Sequence, residues 1–85
     1  MIYDLKPQNN QKSFYGKAKI EQNENGETLY SYGVKIMTRD TSGKLTRFWD
    51  GKIAGSGKWS ATTGKHIRAF CGLNKADFLK IAMAQ

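Results

Sequence analysis

One cysteine, one histidine and one proline in 85 residues leave little room for several kinds of chemistry. The lone Cys71 has no intrachain partner, so no disulfide staples the fold. A zinc site built from cysteine pairs is excluded too, and the single His66 does not replace one. Low cysteine usage makes a reducing cytoplasm the expected compartment. No basic segment followed by an apolar run opens the chain, so no secretory leader is expected. Apolar runs are only a few residues long, far short of the roughly 20 a membrane span needs. Acids are scarce as well. Seven Asp and Glu face 14 Lys and Arg, a net charge of +7 that favours an anionic partner. Their placement sharpens the point. No acid lies between Asp50 and Asp77, while Lys52, Lys58, Lys65, Arg68 and Lys75 fall in that window. Glu21, Glu24 and Glu27 gather around one turn instead. No two acids stand closer than three residues, so paired carboxylates for hydrolysis or metal binding are not supported.

What is present reads as one small domain over residues 1–85. Residues 1–12 form either a loose arm or a short edge strand. Residues 13–22 alternate, with Phe14, Gly16, Ala18 and Ile20 on one face, the period of a half-buried strand. Asn25-Gly26 is a hairpin signal. Residues 27–40 read as the second strand, with Tyr30, Tyr32, Val34 and Ile36 sharing a face. A turn at 41–43 and a third strand over 44–53 follow, and a short strand at 58–61 is a fourth candidate. The pattern then becomes helical. Ile67, Phe70 and Cys71 fall at i, i+3, i+4, with Thr62 or Ser60 as N-cap and Gly72 as the stop, over about 62–71. Asn74 caps a second helix over about 75–83. The fold class is therefore α+β: an antiparallel sheet of three or four strands, then two short helices on one face. Trp59, Ile67, Phe70 and Phe78 are the expected core anchors.

The stretch "KWSATTGKHIRAF", residues 58–70, looks most like chemistry. It is not a phosphate-binding P-loop, which needs Gly, four residues, then Gly-Lys-Ser/Thr. Lys52 stands five positions before Gly57, Trp59 five before Gly64, and neither Gly-Lys step precedes a hydroxyl. Nor does it hold a triad. No Asp or Glu lies within ten residues of His66 to orient the ring, and Cys71 lies on the apolar side of its helix. The reading is a helix start whose chemistry is binding. The Thr62 and Thr63 hydroxyls serve the N-terminus, while Lys65, His66 and Arg68 face solvent or an anion.

Basic and aromatic residues also interleave on the strands. With Ile20 and Ile36 turned to the helices, the opposite sheet face shows Tyr15, Lys17, Lys19, Lys35 and Arg39. Arg47 and Trp49 join them if the third strand faces the same way. Aromatics stack on bases and cations follow phosphates, so such a face is a platform for nucleic acid. The candidate binding set is Lys17, Lys19, Lys35, Arg39, Arg47, Lys58, Thr62, Thr63, Lys65, His66 and Arg68. No catalytic residue, metal or cofactor is expected. At Ser31-Tyr32, Trp59-Ser60, Thr62-Thr63, Lys65-His66-Ile67 and Phe70 the chain resembles a family of short phage and prophage proteins of unknown function. Their pattern is a Ser-Tyr strand followed by (Trp/Tyr)-Ser-x-Thr-Thr-x-(Lys/Arg)-His-(Ile/Leu)-x-x-Phe. The likeness covers roughly residues 28–72 and departs at the Gly-rich 54–57. It implies a phage-type product in a bacterial cytoplasm. The expected function is non-enzymatic binding of nucleic acid, DNA or RNA, with a homodimer left open. The alternative is a counter-defence inhibitor of the anti-CRISPR kind that docks on a host nuclease or surveillance complex.

Overall fold

Alternation in the first half and helical periodicity in the second do produce an α+β fold. The computed structural model describes residues 1–5, 16–51 and 57–84. The elements are β1 (Ile2–Asp4), β2 (Ala18–Asn23), β3 (Gly26–Ser31), β4 (Val34–Asp40), β5 (Leu45–Arg47), α1 (Ala61–Cys71) and α2 (Lys75–Leu79). The strands form one antiparallel meander in the order β1-β2-β3-β4-β5. The sheet thus has five strands, where three or four were expected. One addition is β1, the short edge strand the first five residues allowed.

The other addition is a hairpin hidden inside residues 27–40. This stretch is two strands joined at Tyr32-Gly33, both with positive φ (52° and 79°). Positive φ at both central residues is what a two-residue turn between twisted strands requires, and Asn, Asp or Gly normally supplies it. Tyrosine gives no such signal. Leu29 and Ser31, not Tyr30 and Tyr32, therefore point to the helices and are buried. A bulge on β4 pairs Tyr30 with Lys35 and Leu29 with Met37, leaving Ile36 extra. Ile36 and Met37 are consecutive yet both fully buried. The preceding turn is also displaced by one residue. Glu24 and Asn25 occupy it, Asn23 pairs with Gly26, and Asn23 Oδ1 accepts from the Asn25 N–H at 2.8 Å. Gly26 is required beside it, because a Cβ there would collide with the Arg39 carbonyl. The turn at 41–43 is as expected, with Asp40 Oδ1 accepting from the Ser42 N–H, the Ser42 hydroxyl and the Lys44 N–H.

No strand forms over 58–61, since Ser60 caps and Ala61 already opens α1. Beyond β5, Lys52 and Ile53 lie outside the described residues, as do Phe14 and Tyr15. Helix α1 ends at Gly72 in the left-handed conformation, as expected. In α2, Asn74 Oδ1 accepts from the Asp77 N–H at 2.9 Å. This helix stops at Leu79, short of the expected 83. Residues 81–84 instead run beside β5, with Arg47 N–H donating to the Ala82 carbonyl and Ala84 N–H to the Arg47 carbonyl. Pairing the open backbone of an edge strand outweighs the helical propensity of that tail.

The core between sheet and helices is Ile20, Leu29, Ile36, Met37, Ile67, Phe70 and Phe78. Trp59 is half-buried and packs with Trp49 and Phe78 at ring distances of 5.3 and 6.0 Å. Gly64 exists for Trp59: a Cβ at 64 would sit 3.0 Å from the indole. Cys71 donates to the Ile67 carbonyl, and burial pushes its thiol pKa up, as expected for an inert thiol. Phe78 is fully buried at the meeting point of both tryptophans. Phe78→Ala is expected to cost about 3–5 kcal/mol in denaturant unfolding. A loss below about 1 kcal/mol would show that the aromatic cluster does not carry the C-terminal half.

Candidate functional site

The first turn of α1 organises the candidate site. Ser60 Oγ accepts from the Thr63 N–H at 3.2 Å, so serine, and neither threonine hydroxyl, is the cap. Thr63 turns inward instead. Its hydroxyl lies 2.9 Å from Ser31 Oγ, which lies 2.8 Å from His66 Nδ1. Ser31, Thr63 and His66 are all buried. With the ring proton on Nε2, Nδ1 accepts from Ser31, whose oxygen accepts from Thr63; the other tautomer reverses the chain. The expectation that His66 faces solvent or an anion is therefore wrong. On α1 the inward side is Thr63, His66, Ile67 and Phe70, and His66 shares it because Ser31 supplies a polar partner across the interface. Burial holds the ring below the usual histidine pKa. Serine and histidine stand in contact with both side chains almost wholly buried, and the cluster joins sheet to helix.

The strand cations are divided between two faces. Lys17, Lys19 and Lys35 are exposed. Lys19 is paired with Asp4 at 2.9 Å, and Lys35 Nζ sits 4.0 Å from the Phe48 ring centroid. Arg39 and Arg47 do not lie on the outer face. Arg39 bonds Glu27 at 2.7 Å, donates to the Phe70 carbonyl and covers the Phe70 ring, satisfying the end of α1. Arg47 donates to the Ile81 and Trp49 carbonyls and lies over Phe78. Trp49 is likewise on the helix side. The hairpin at Tyr32-Gly33 exchanges the expected faces of β3, and the bulge at Ile36 turns Met37 and Arg39 inward, with Arg47 opposite Met37 facing the same way.

The helix cations are disposed differently. Lys58, Lys65 and Arg68 are exposed, and Lys75 Nζ lies 5.6 Å from the Trp59 ring centroid. Trp59, Gly64, Lys65, Arg68, Leu73, Asn74 and Lys75 line a groove of about 230 Å³. Among the described residues, Lys65, Arg68 and Lys75 form no ion pair. Trp59 and Lys75 were not in the sequence-derived binding set, although Lys75 lay in the acid-free window. On the other side of the same helical turn is a larger cleft of about 720 Å³. Its walls include Tyr32, Val34, Ile36, Phe48, Trp49 and Met83, with Ser31, Ser60, Thr62, Thr63 and Asp50. Nothing in the sequence points to this cleft, because the hairpin and the tail that shape it are the two misread segments. No group of three or more His, Cys, Asp or Glu among the described residues is arranged to hold a metal. No described helix is long and apolar enough to cross a membrane.

A family model described as a family of unknown function, DUF8033, matches residues 3–80, and the chain belongs to that family. No match is found among curated proteins or among solved structures. The matched span holds the sheet, both helices, the buried cluster and the groove.

The buried histidine makes stability pH-dependent. Its folded-state pKa is depressed below the unfolded value of about 6.5, so the unfolded chain binds the extra proton as pH falls. The contribution is fully present above about pH 6.5 and is lost progressively below it. Thermal melts from neutral to mildly acidic pH are expected to show a falling Tm, and His66→Gln, which cannot titrate, should flatten that slope. An unchanged slope would place the proton elsewhere.

Proposed function

We propose that the protein is a non-enzymatic nucleic-acid-binding module acting through the basic groove beside α1. The observation that carries this is the grouping of Lys65, Arg68 and Lys75 around Trp59, in a stretch of chain without an acid from residue 51 to 76. Cations without acid partners attract phosphates, and an indole at the groove floor offers a surface for a base or sugar. The strand face contributes less, because Asp4 pairs Lys19 and the two arginines are turned to the helix side and bonded there. The resemblance to short phage proteins supports a setting in a bacterial cytoplasm. A second reading, an inhibitor that docks on a host nuclease by protein contact, is favoured by the exposed apolar residues Tyr32, Val34 and Met83 at the cleft.

Lys65→Ala/Arg68→Ala should weaken binding to DNA or RNA. It should also reduce the slope of log affinity against log salt by roughly one to two units. Fluorescence anisotropy with labelled oligonucleotides at two salt concentrations checks both. An unaltered affinity and slope would remove the groove from the interface. Absence of any binding at low salt would favour the protein-contact reading.

A further inference from the structure

We infer that the nucleic acid is a single strand and that the cleft on the sheet side of α1 receives one unstacked base. This rests on the nucleic-acid reading above. Residues 60–65 wall both depressions. Ser60, Thr62 and Thr63 face the cleft, whereas Ala61, Gly64 and Lys65 face the groove. The two are separated by about the width of a helix, ~10 Å, close enough for neighbouring nucleotides of one strand to enter each.

Charge divides the work between them. Among the described residues the groove carries Lys65, Arg68 and Lys75 and no acid. Among the described residues the cleft lining has no cation, and it holds one acid, Asp50. Phosphates therefore follow the groove, and the neutral part of a nucleotide enters the cleft. Three aromatics, Tyr32, Phe48 and Trp49, offer stacking surface there, while the Ser60 and Thr62 hydroxyls serve base or sugar edges. Its volume of about 720 Å³ is in the ordinary range for small-ligand sites. Lysines stand at the two aromatic rims: Lys35 over Phe48 at 4.0 Å and Lys17 by Tyr32 at 6.0 Å. They can meet the flanking phosphates. A duplex keeps its bases stacked and cannot fill this cleft.

Tyr32 stands out at the cleft. It is the one non-glycine residue among those described with positive φ, 52°, and it remains 54% exposed. A bulky residue there is strained where Asn or Gly would fit freely, and burial does not offset the strain. The ring lies 5.8 Å from the His66 ring and also borders the cleft, where its exposed part offers a surface to a base.

The test compares a deoxythymidine oligomer, an abasic oligomer of equal length and a duplex by anisotropy, on wild-type protein, Tyr32→Asn and Phe48→Ala. The expected result is preference for the thymidine oligomer over both other probes. Each variant should bind that oligomer at least about fivefold more weakly with an unchanged salt slope. Tyr32→Asn, which suits the turn, should fold at least as stably as wild type, so its weaker binding would not be a folding defect. Equal affinity for abasic and thymidine oligomers, or full affinity in both variants, would overturn the inference. The groove reading would survive that result if Lys65→Ala/Arg68→Ala still lost affinity. No binding of any probe at low salt would overturn both.

Discussion

The hydroxyl of Ser31 fixes how the helical half meets the sheet. It stands at the end of β3, buried, between Thr63 and His66 of α1. An interface made only of Ile67, Phe70 and the sheet aliphatics would tolerate small rotations of the helix, because apolar contact has little directional demand. A buried imidazole does not tolerate them, since an unpaired ring nitrogen costs the full desolvation of that group. Among the described residues no buried side-chain nitrogen or oxygen lacks a partner. A fully satisfied polar network of this kind specifies one arrangement more than it adds net stability. Once Thr63 and His66 are turned inward, the helical repeat puts Lys65 and Arg68 outside, and Ser60 closes the first turn. The cationic groove is thus a consequence of the buried cluster.

What the sequence made legible follows from local physics. Period-2 alternation in β2, the Asp40 turn, the Gly72 stop and the Asn74 cap each depend on a few neighbouring residues, and each was readable. So was the core status of Ile67, Phe70 and Phe78. The misread segments depended on partners far away in the chain. Tyr32 bends a hairpin that only Gly33 marks, with tyrosine where Asn, Asp or Gly is usual. The tail after Leu79 leaves its helical pattern because the edge of β5 is open beside it. His66 is inside because Ser31, 35 positions earlier, accepts it. The bulge at Ile36, which no local residue marks, moved Arg39 from the expected outer face to the helix side, and it settled the open orientation of Arg47, which pairs with Met37. The candidate site was legible in the exposed cations of α1 and illegible in the cleft, which is assembled from the misread parts.

Both arginines drawn inside do structural work that lysine could not do equally well. Arg39 reaches Glu27 and the Phe70 carbonyl with different nitrogens while its plane lies 4.5 Å from the Phe70 centroid. Arg47 joins the Ile81 and Trp49 carbonyls and covers Phe78. A planar fork with several donors can serve such divergent acceptors and stack at once, where an ammonium acts as a point charge. Both guanidinium groups are thus held by bonds within the fold, and Glu27 pairs Arg39. The excess of cations over acids then falls on lysines and on Arg68, which lie around α1 and the rims of the cleft.

The two depressions are held apart by rigid groups. Trp49 lines the cleft and Trp59 the groove, with ring centroids 5.3 Å apart, and Phe78 touches both. Gly64 lets the indole of Trp59 lie against the helix, since any side chain there would push it away. The spacing between Trp49 in one depression and the cations of the other is therefore set in part by core packing. Groups fixed in this way lose little freedom when a ligand arrives, so more of each contact remains as affinity. In a chain this short the same three aromatic rings hold the C-terminal half to the sheet and space the surfaces on either side of α1. Substitutions that loosen the cluster will thus disturb stability and binding together, whereas changes at Tyr32, Lys65 or Arg68, which lie outside it, separate the two.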